Sequence, residues 1–275
     1  MPIPYLILNP DGTTRQDTYP VDSFSELAGI EPEGVYTVAR TYSRIRAIGL
    51  KAHIDRLEES AGLSGLSLTL DRVRLRAGLR SLLHQTGYPE TRFRITIPFG
   101  EPGSVLLAAE PLKPVPDVLR REGVSTATCF ISRPVPRAKL NAWLAQRKAI
   151  RESLPSGCYE GIILTEDGHL KEGLSSNIYV VLQGRLHTAE EEVLHGITRQ
   201  IVLSLARHHI PVSHDLIHVR SIHNLDEAFI TSSSREVLPI VRIDDIVIGS
   251  GKPGPTTVRL AREYRSWVEA NLVDI

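Results

Sequence analysis

Apolar alternation marks strands at 5–8, 92–97 and 104–109. Between the first two of these, Leu70, Val73, Leu75, Leu79, Leu82 and Leu83 recur at helical spacing and predict a helix over 69–85. Gly87 follows as its C-terminal stop. A shorter helix is expected over 52–63. These elements make a small strand-and-helix domain, residues 1–112. Pro111, Pro114 and Pro116 then crowd into six residues. They break helix and sheet alike, so residues 113–122 are read as a linker.

The rest of the chain, residues 123–275, forms a larger second domain with a different rhythm. Strands are expected at 124–131, 161–165 and 177–182, with a short return at 185–188 and a further strand at 227–231. A helix over 140–154 would bury Leu140, Trp143, Leu144, Ile150 and Leu154 on one side. Another, from Ile197 to about Arg207, would bury Ile201, Val202 and Leu205. A hairpin-like stretch at 241–248 precedes a terminal helix over 256–271. Short strands and helices mix without a strict βαβ order, which argues for an α+β fold over a doubly wound sheet.

Composition narrows the function. The chain is 41% apolar and 23% charged, and its 32 basic residues balance its 32 acidic ones. Such a chain is neither disordered nor a general binder of polyanions, so no nucleic-acid partner is expected. The run Val105 to Ala109 is typical of its apolar stretches and far shorter than the roughly 20 residues of a membrane helix, so no membrane association is expected. The first ten residues carry no basic-then-apolar leader, and Cys129 and Cys158 form no disulfide framework. A cytoplasmic location is the expectation.

Two candidate sites lack the residues their chemistry needs. His208, His209, His214, His218 and His223 crowd one region, but no HExxH or CxxC pattern accompanies them, so no metal site is assigned. Gly249-Ser250-Gly251-Lys252 is followed by Pro253 where a phosphate loop needs Ser or Thr, and it reads as a turn.

A third stretch carries chemistry. Glu172-Gly173-Leu174-Ser175-Ser176-Asn177-Ile178-Tyr179 is followed by Leu186-His187-Thr188 and by Leu194-His195-Gly196-Ile197-Thr198-Arg199. Glu172 precedes an apolar strand and should be half buried, which is costly for a carboxylate without a cation or strong donor. Gly196-Ile197-Thr198 opens an amphipathic helix, whose free N–H groups and dipole suit an anion. Together they suit a ligand with a protonated ring nitrogen at one end and a phosphate at the other.

This pattern resembles the signature of the fold-type IV pyridoxal-phosphate enzymes, the class IV aminotransferase family. That signature runs E-x-small-x-x-N-apolar-aromatic, apolar-x-T, then apolar-x-G-apolar-x-basic; the gap from Thr188 to Leu194 is slightly short. The resemblance extends from Gly34-Val35-Tyr36 to Gly254-Pro255-Thr256-Thr257. It implies a two-domain α+β enzyme with a barrel-like mixed sheet in the larger domain. It also implies pyridoxal 5′-phosphate as cofactor, amino acids and 2-oxo acids as substrates, and a homodimer.

The family's roles fall on particular residues. Pro136-Arg137-Ala138-Lys139-Leu140-Asn141 resembles the segment of the Schiff-base lysine, which makes Lys139 the catalytic residue; Lys148 reads as a solvated helix lysine. Glu172 resembles the carboxylate that keeps the cofactor ring protonated. Arg56, in His53-Ile54-Asp55-Arg56-Leu57, matches the family's phosphate-binding H-x-x-R-L. Ile197 and Thr198 would add donors to the phosphate. In the loop Thr231-Ser232-Ser233-Ser234-Arg235-Glu236, Ser233 would touch phosphate, and the amides of Ser233 and Ser234 would take the substrate carboxylate.

Substrate preference is less plainly written. Arg94 matches an arginine of the branched-chain aminotransferases and would clamp an α-carboxylate, beside Tyr36 and Thr37 on the substrate side. Pro98-Phe99-Gly100 stands where D-amino-acid transaminases and aminodeoxychorismate lyases carry an arginine. Thr37, however, stands where transaminases often have glutamate and the lyases threonine. A branched-chain-type aminotransferase working by a ping-pong reaction is the first reading. An aminodeoxychorismate lyase releasing pyruvate and 4-aminobenzoate is the second, and a cofactor-binding protein without efficient turnover the third.

Overall fold

The structure is a computed structural model that describes residues 1–275 except Pro102 and Pro134. Its contacts divide the chain into two units. The first comprises Met1–Lys113, Arg137–Lys148 and Asn271–Ile275; the second comprises Pro114–Pro136 and Ala149–Ala270. The sequence pattern assigns residues 123–275 to one domain. The structure instead returns Arg137–Lys148, which carries Lys139, and the last five residues to the first unit.

The first unit is built on the strands β1 (Ile3–Leu8), β2 (Thr14–Tyr19), β3 (Gly34–Arg40) and β4 (Arg46–Ala47). Helices α1 (Leu50–Leu63) and α2 (Arg72–Thr86) follow, then β5 (Thr91–Pro98) and β6 (Val105–Pro111). Five strands form an antiparallel sheet in the order β2-β1-β6-β5-β3. One face of that sheet, including Val35, Ala39, Phe93, Ile95 and Ile97, packs with Ile54 and Leu57 of α1 and Leu75, Leu79 and Leu82 of α2 into one core. Asp71 caps α2 by accepting from the Val73 and Arg74 N–H groups, and Gly87 ends it with φ 64° in the left-handed region. Strand β2 was missed because five of its six residues are exposed and polar, so no apolar row marks it.

In the second unit the expected linker holds a short helix, α3 (Asp117–Glu122), which starts just after Pro116. Next come β7 (Val124–Phe130) and α4 (Trp143–Ser153), within which the unit boundary falls, and then β8 (Cys158–Leu164), β9 (Leu170–Gly173), β10 (Asn177–Leu182) and β11 (Arg185–His187). Helix α5 (Ile197–Ala206), β12 (Val212–Ser213), β13 (Glu227–Ser232), β14 (Glu236–Ile243), β15 (Ile246–Val247) and α6 (Pro255–Ala270) complete the unit. A last strand, β16 (Val273–Asp274), pairs with β4 in the first unit.

The large sheet runs β12-β11-β10-β13-β14-β7-β8-β9, with β15 on the flank of β14. Parallel pairs (β11 with β12, β14 with β7, β7 with β8) mix with antiparallel ones. A bridge from Gly173 to Ser176 links β9 back to β10, so the sheet curls on itself as a half-barrel. This is the barrel-like mixed sheet that the resemblance implied. Its core includes Ile162, Ile178, Ile230, Leu238 and Ile240.

Two helical faces differ from expectation. On α5 the buried residues are Ile197, Thr198, Arg199, Val202, Leu203 and Ala206, while Ile201 and Leu205 are half-buried. On α4 only Trp143 and Leu144 are buried, and Ile150 is half-buried. Among the described residues no helix is long and apolar enough to cross a membrane, and no group of three or more His, Cys, Asp or Glu is placed to hold a metal ion.

Gly34 is fixed by a close approach. A Cβ at this position would stand 2.0 Å from the Ile97 carbonyl oxygen of β5. Gly34→Ala is therefore expected to push β3 off β5 and cost about 1–3 kcal/mol of stability, read as a lower urea midpoint at unchanged slope. An unchanged midpoint would show that the strand pair has slack.

Candidate active site

Strand alternation explains how the first unit sorts its polar residues. Antiparallel partners share a face, so Tyr36 and Val38 of β3 lie on the side of Thr96 and Arg94 of β5, while Val35, Thr37 and Ala39 face the helices. Thr37 is the one polar member of that helix-facing row. It meets two polar residues of α1 spaced three apart: Thr37 Oγ1 is 2.8 Å from His53 Nδ1, and it accepts a hydrogen bond of 2.9 Å from Arg56 Nη2. All three side chains are buried. Burial lowers the Arg56 guanidinium to about 10, which leaves it charged at neutral pH. Burial, and then the positive charges of Arg56 and Lys139, hold His53 well below its usual range, so its ring is neutral.

Lys139 is positioned by main chain. Its carbonyl accepts from the Tyr36 N–H at 2.9 Å, and its N–H donates to Ser60 Oγ of α1 at 3.2 Å. Two residues on, the Asn141 N–H donates to the Gly34 carbonyl at 3.0 Å, and the Asn141 side-chain oxygen accepts from the Gly34 N–H at 2.8 Å. The segment thus lies beside β3 like a further strand. The Lys139 ammonium is 5.0 Å from the Tyr36 ring centroid, whereas Lys148 is exposed on α4. Lys139, Arg56, Tyr36 and Thr37 are brought together in the first unit.

Two residues expected on the substrate side are engaged within the chain. Thr37 is fully buried and its hydroxyl is shared between His53 and Arg56. Arg94 is not an open clamp. Its Nη2 and the Glu31 carboxylate form an ion pair, its Nε donates to the same carboxylate at 3.1 Å, and its guanidinium lies 3.8 Å over the Tyr36 ring. Thr96 Oγ1 donates to Glu31 at 2.7 Å and Asn141 Nδ2 at 3.3 Å. The chain supplies its own carboxylate to Arg94. Glu31 escaped the sequence reading because it lies 63 residues away in a turn-rich stretch, where nothing marks a buried acid.

In the second unit Glu172 lies near the end of β9 at 2% exposure, more deeply buried than expected. Burial raises its pKa, opposed by Arg133, whose Nη1 donates at 2.7 Å, and by the Leu194 N–H at 3.3 Å. Leu194 opens the turn into α5, whose cap residue Gly196 gives no side-chain cap. The first N–H groups of a helix have no acceptor within it, so those of Ile197 and Thr198 are free to meet an anion. A Cβ on Gly196 would stand 2.5 Å from Asn177 Oδ1, and Asn177 Nδ2 donates to the Leu194 carbonyl at 2.8 Å. Only glycine therefore lets this turn close. The Leu194 N–H thus ties a buried acid on β9 to the turn that opens an uncapped helix, and the pair fits a group with a protonated ring nitrogen and a phosphate.

Ser233 and Ser234 lie half-buried in the turn between β13 and β14. Arg235 braces this turn: its Nε donates to Ser232 Oγ at 2.9 Å, its Nη2 to the Ser175 carbonyl at 2.6 Å, and its Nη1 pairs with the buried Glu160. Glu236, at φ 62°, adopts a backbone that non-glycine residues rarely take. Arg133, Glu160 and Arg235 were all missed, since each matters through a partner remote in sequence.

The description "Amino-transferase class IV" belongs to the family model that matches residues 34–243. A probable branched-chain-amino-acid aminotransferase of Thermotoga maritima is 31% identical over 252 residues, covering 88% of this chain and 89% of that protein. A D-alanine aminotransferase of Bacillus licheniformis is 30% identical over 238 residues, covering 82% and 84%. The fold matches that of the branched-chain aminotransferase of Thermoproteus uzoniensis solved with norvaline, at a TM-score of 0.80 and 26% identity, covering 100% of this chain and 99% of that one.

Arg94→Ala would strand the Glu31 carboxylate in the core. The expected loss is about 3–5 kcal/mol of unfolding free energy, partly recovered when Glu31→Ala is added. A normally stable Arg94→Ala with a raised KM for the amino donor would instead make Arg94 a substrate contact.

Proposed function

The chain belongs to the class IV aminotransferase family, and from that premise we propose that it uses pyridoxal 5′-phosphate to move an amino group from a branched-chain-type amino acid to a 2-oxo acid. The observation that supports this reading is the hydrogen bond that ties the buried Glu172 carboxylate to the Leu194 N–H, in the turn that opens the uncapped helix α5. The positions assigned to the cofactor, Arg56, Lys139, Glu172, Ile197, Thr198 and Ser233, all lie within the matched stretch 34–243.

When bound, pyridoxal 5′-phosphate supplies an aldehyde that captures amines and a ring that draws electrons from the substrate. The chain does the rest. Arg56 would bind the phosphate through its fork, and the N–H groups of Ile197 and Thr198 would serve the same group as helix-start donors. Glu172, oriented by Arg133, would accept a hydrogen bond from the ring nitrogen and keep it protonated. Lys139 would hold the aldehyde carbon through its amine and would move a proton at the substrate α-carbon. The Ser233 and Ser234 amides receive the substrate carboxylate. The donor leaves as its 2-oxo acid before the acceptor enters, which makes the kinetics ping-pong. The enzyme works as a homodimer in this reading.

The test reconstitutes the purified protein with the cofactor and supplies L-leucine or L-isoleucine with 2-oxoglutarate. Glutamate should form with parallel-line kinetics. Borohydride should fix the cofactor to Lys139, as seen by peptide mass, and Lys139→Ala should lose both attachment and turnover. Release of 4-aminobenzoate and pyruvate from an aminodeoxychorismate substrate would move the reading to a lyase. Cofactor attachment without either product would leave a binding protein.

A further inference from the structure

The helix-facing row of β3 is apolar except at Thr37, and α1 answers it with His53 and Arg56. The hydrogen-bond roles in this trio follow from what each group can do. A guanidinium only donates, so the Thr37 oxygen accepts from Arg56. The single hydroxyl hydrogen then points to His53, and Nδ1 must be the acceptor. His53 is thereby held as the tautomer protonated on Nε2. A protonated ring would set a second N–H against a hydroxyl already committed as a donor, beside two cations.

We propose that Thr37 and His53 are positioning residues for Arg56: the relay from Arg56 Nη2 through the Thr37 hydroxyl to His53 Nδ1 fixes the guanidinium plane for phosphate recognition. The inference rests on the reading that Arg56 binds the cofactor phosphate. Its physical basis is the cost of the arrangement. A buried hydroxyl and a buried imidazole are each unfavourable unless matched, and valine would fill the Thr37 site with the same shape. Among the described residues the Thr37 hydroxyl has no hydrogen-bond partner beyond these two, and the relay has both ends on α1 and its middle on β3. A hydrogen bond from Nη2 to a hydroxyl held on β3 restricts rotation of the planar guanidinium, and a two-point grip on phosphate needs that plane to be set. Thr37, read from sequence as a substrate contact, would thus serve the cofactor side.

The experiment compares the full-length protein's affinity for pyridoxal 5′-phosphate with that for pyridoxal, which lacks the phosphate. The wild type should prefer the phosphate ester. Thr37→Val should reduce that preference about tenfold while leaving pyridoxal affinity and the amino-donor KM of the loaded enzyme near the wild type. It should also move the ³¹P resonance of the bound phosphate. Thr37→Ser, which keeps the hydroxyl, should restore both. From the other end of the relay, His53→Asn places an acceptor where Nδ1 stands and should hold the preference, whereas His53→Leu should lose it; this pair decides the question if Thr37→Val does not fold. Thr37→Val with undiminished preference, or with a raised amino-donor KM alone, would overturn the proposal. A wild type with no preference for the phosphate ester would overturn the Arg56 assignment itself, a distinct outcome.

Discussion

The N–H of Tyr36 bonded to the Lys139 carbonyl, and the N–H of Asn141 bonded to the Gly34 carbonyl, are the contacts on which the candidate chemistry turns. They make the lysine segment a neighbour of β3 although Gly34 and Asn141 stand 107 positions apart. One strand then organises everything on the first unit. Its far edge pairs with β5, its helix-facing row reaches Arg56 through Thr37, and its other row carries Tyr36 beneath Arg94. Gly34 lets this happen because nothing larger fits against the Ile97 carbonyl. A reactive amine is useful only where it is held, and main-chain bonds hold it without using its side chain.

Buried charge supplies the second principle. A charged group inside a protein needs a partner, and the identity of that partner separates structural from chemical roles. Arg94 and Glu31 satisfy each other, with Thr96 and Asn141 filling the remaining lone pairs, so the group is a fastening. Glu160 and Arg235 likewise lock the turn between β9 and β10 to the turn between β13 and β14. Glu172 differs in kind. Its pKa stays raised despite Arg133 and the Leu194 N–H, which marks a carboxylate that a further hydrogen-bond donor would steady. Arg56, drawn down to about 10 by burial, stays charged at neutral pH and is hydrogen-bonded to Thr37.

Much of this was legible in the sequence, for identifiable reasons. The α2 helix announced itself through its leucines and its Gly87 stop, and β10 through an unbroken apolar run after Asn177. The acid-to-helix motif exposed Glu172 and Gly196 because both are fixed by local backbone needs. What stayed hidden was pairwise and distant. Glu31 with Arg94, Arg133 with Glu172 and Arg235 with Glu160 join residues 39 to 75 positions apart, and no periodicity encodes such meetings. The partners of Thr37 were hidden for the same cause: a β-branched residue on a strand shows its face only once the partner helix is known. Strand β2 escaped because an exposed edge carries no apolar row.

The central claim is that Lys139, Arg56 and Glu172 serve a single ring. A crystal structure grown with pyridoxal 5′-phosphate tests it most directly. The account predicts density continuous from the Lys139 side chain, the phosphate gripped by Arg56 and the start of α5, and a Glu172 oxygen within hydrogen-bond reach of the ring nitrogen. A cofactor bound with any of these three residues turned away from it would contradict the account.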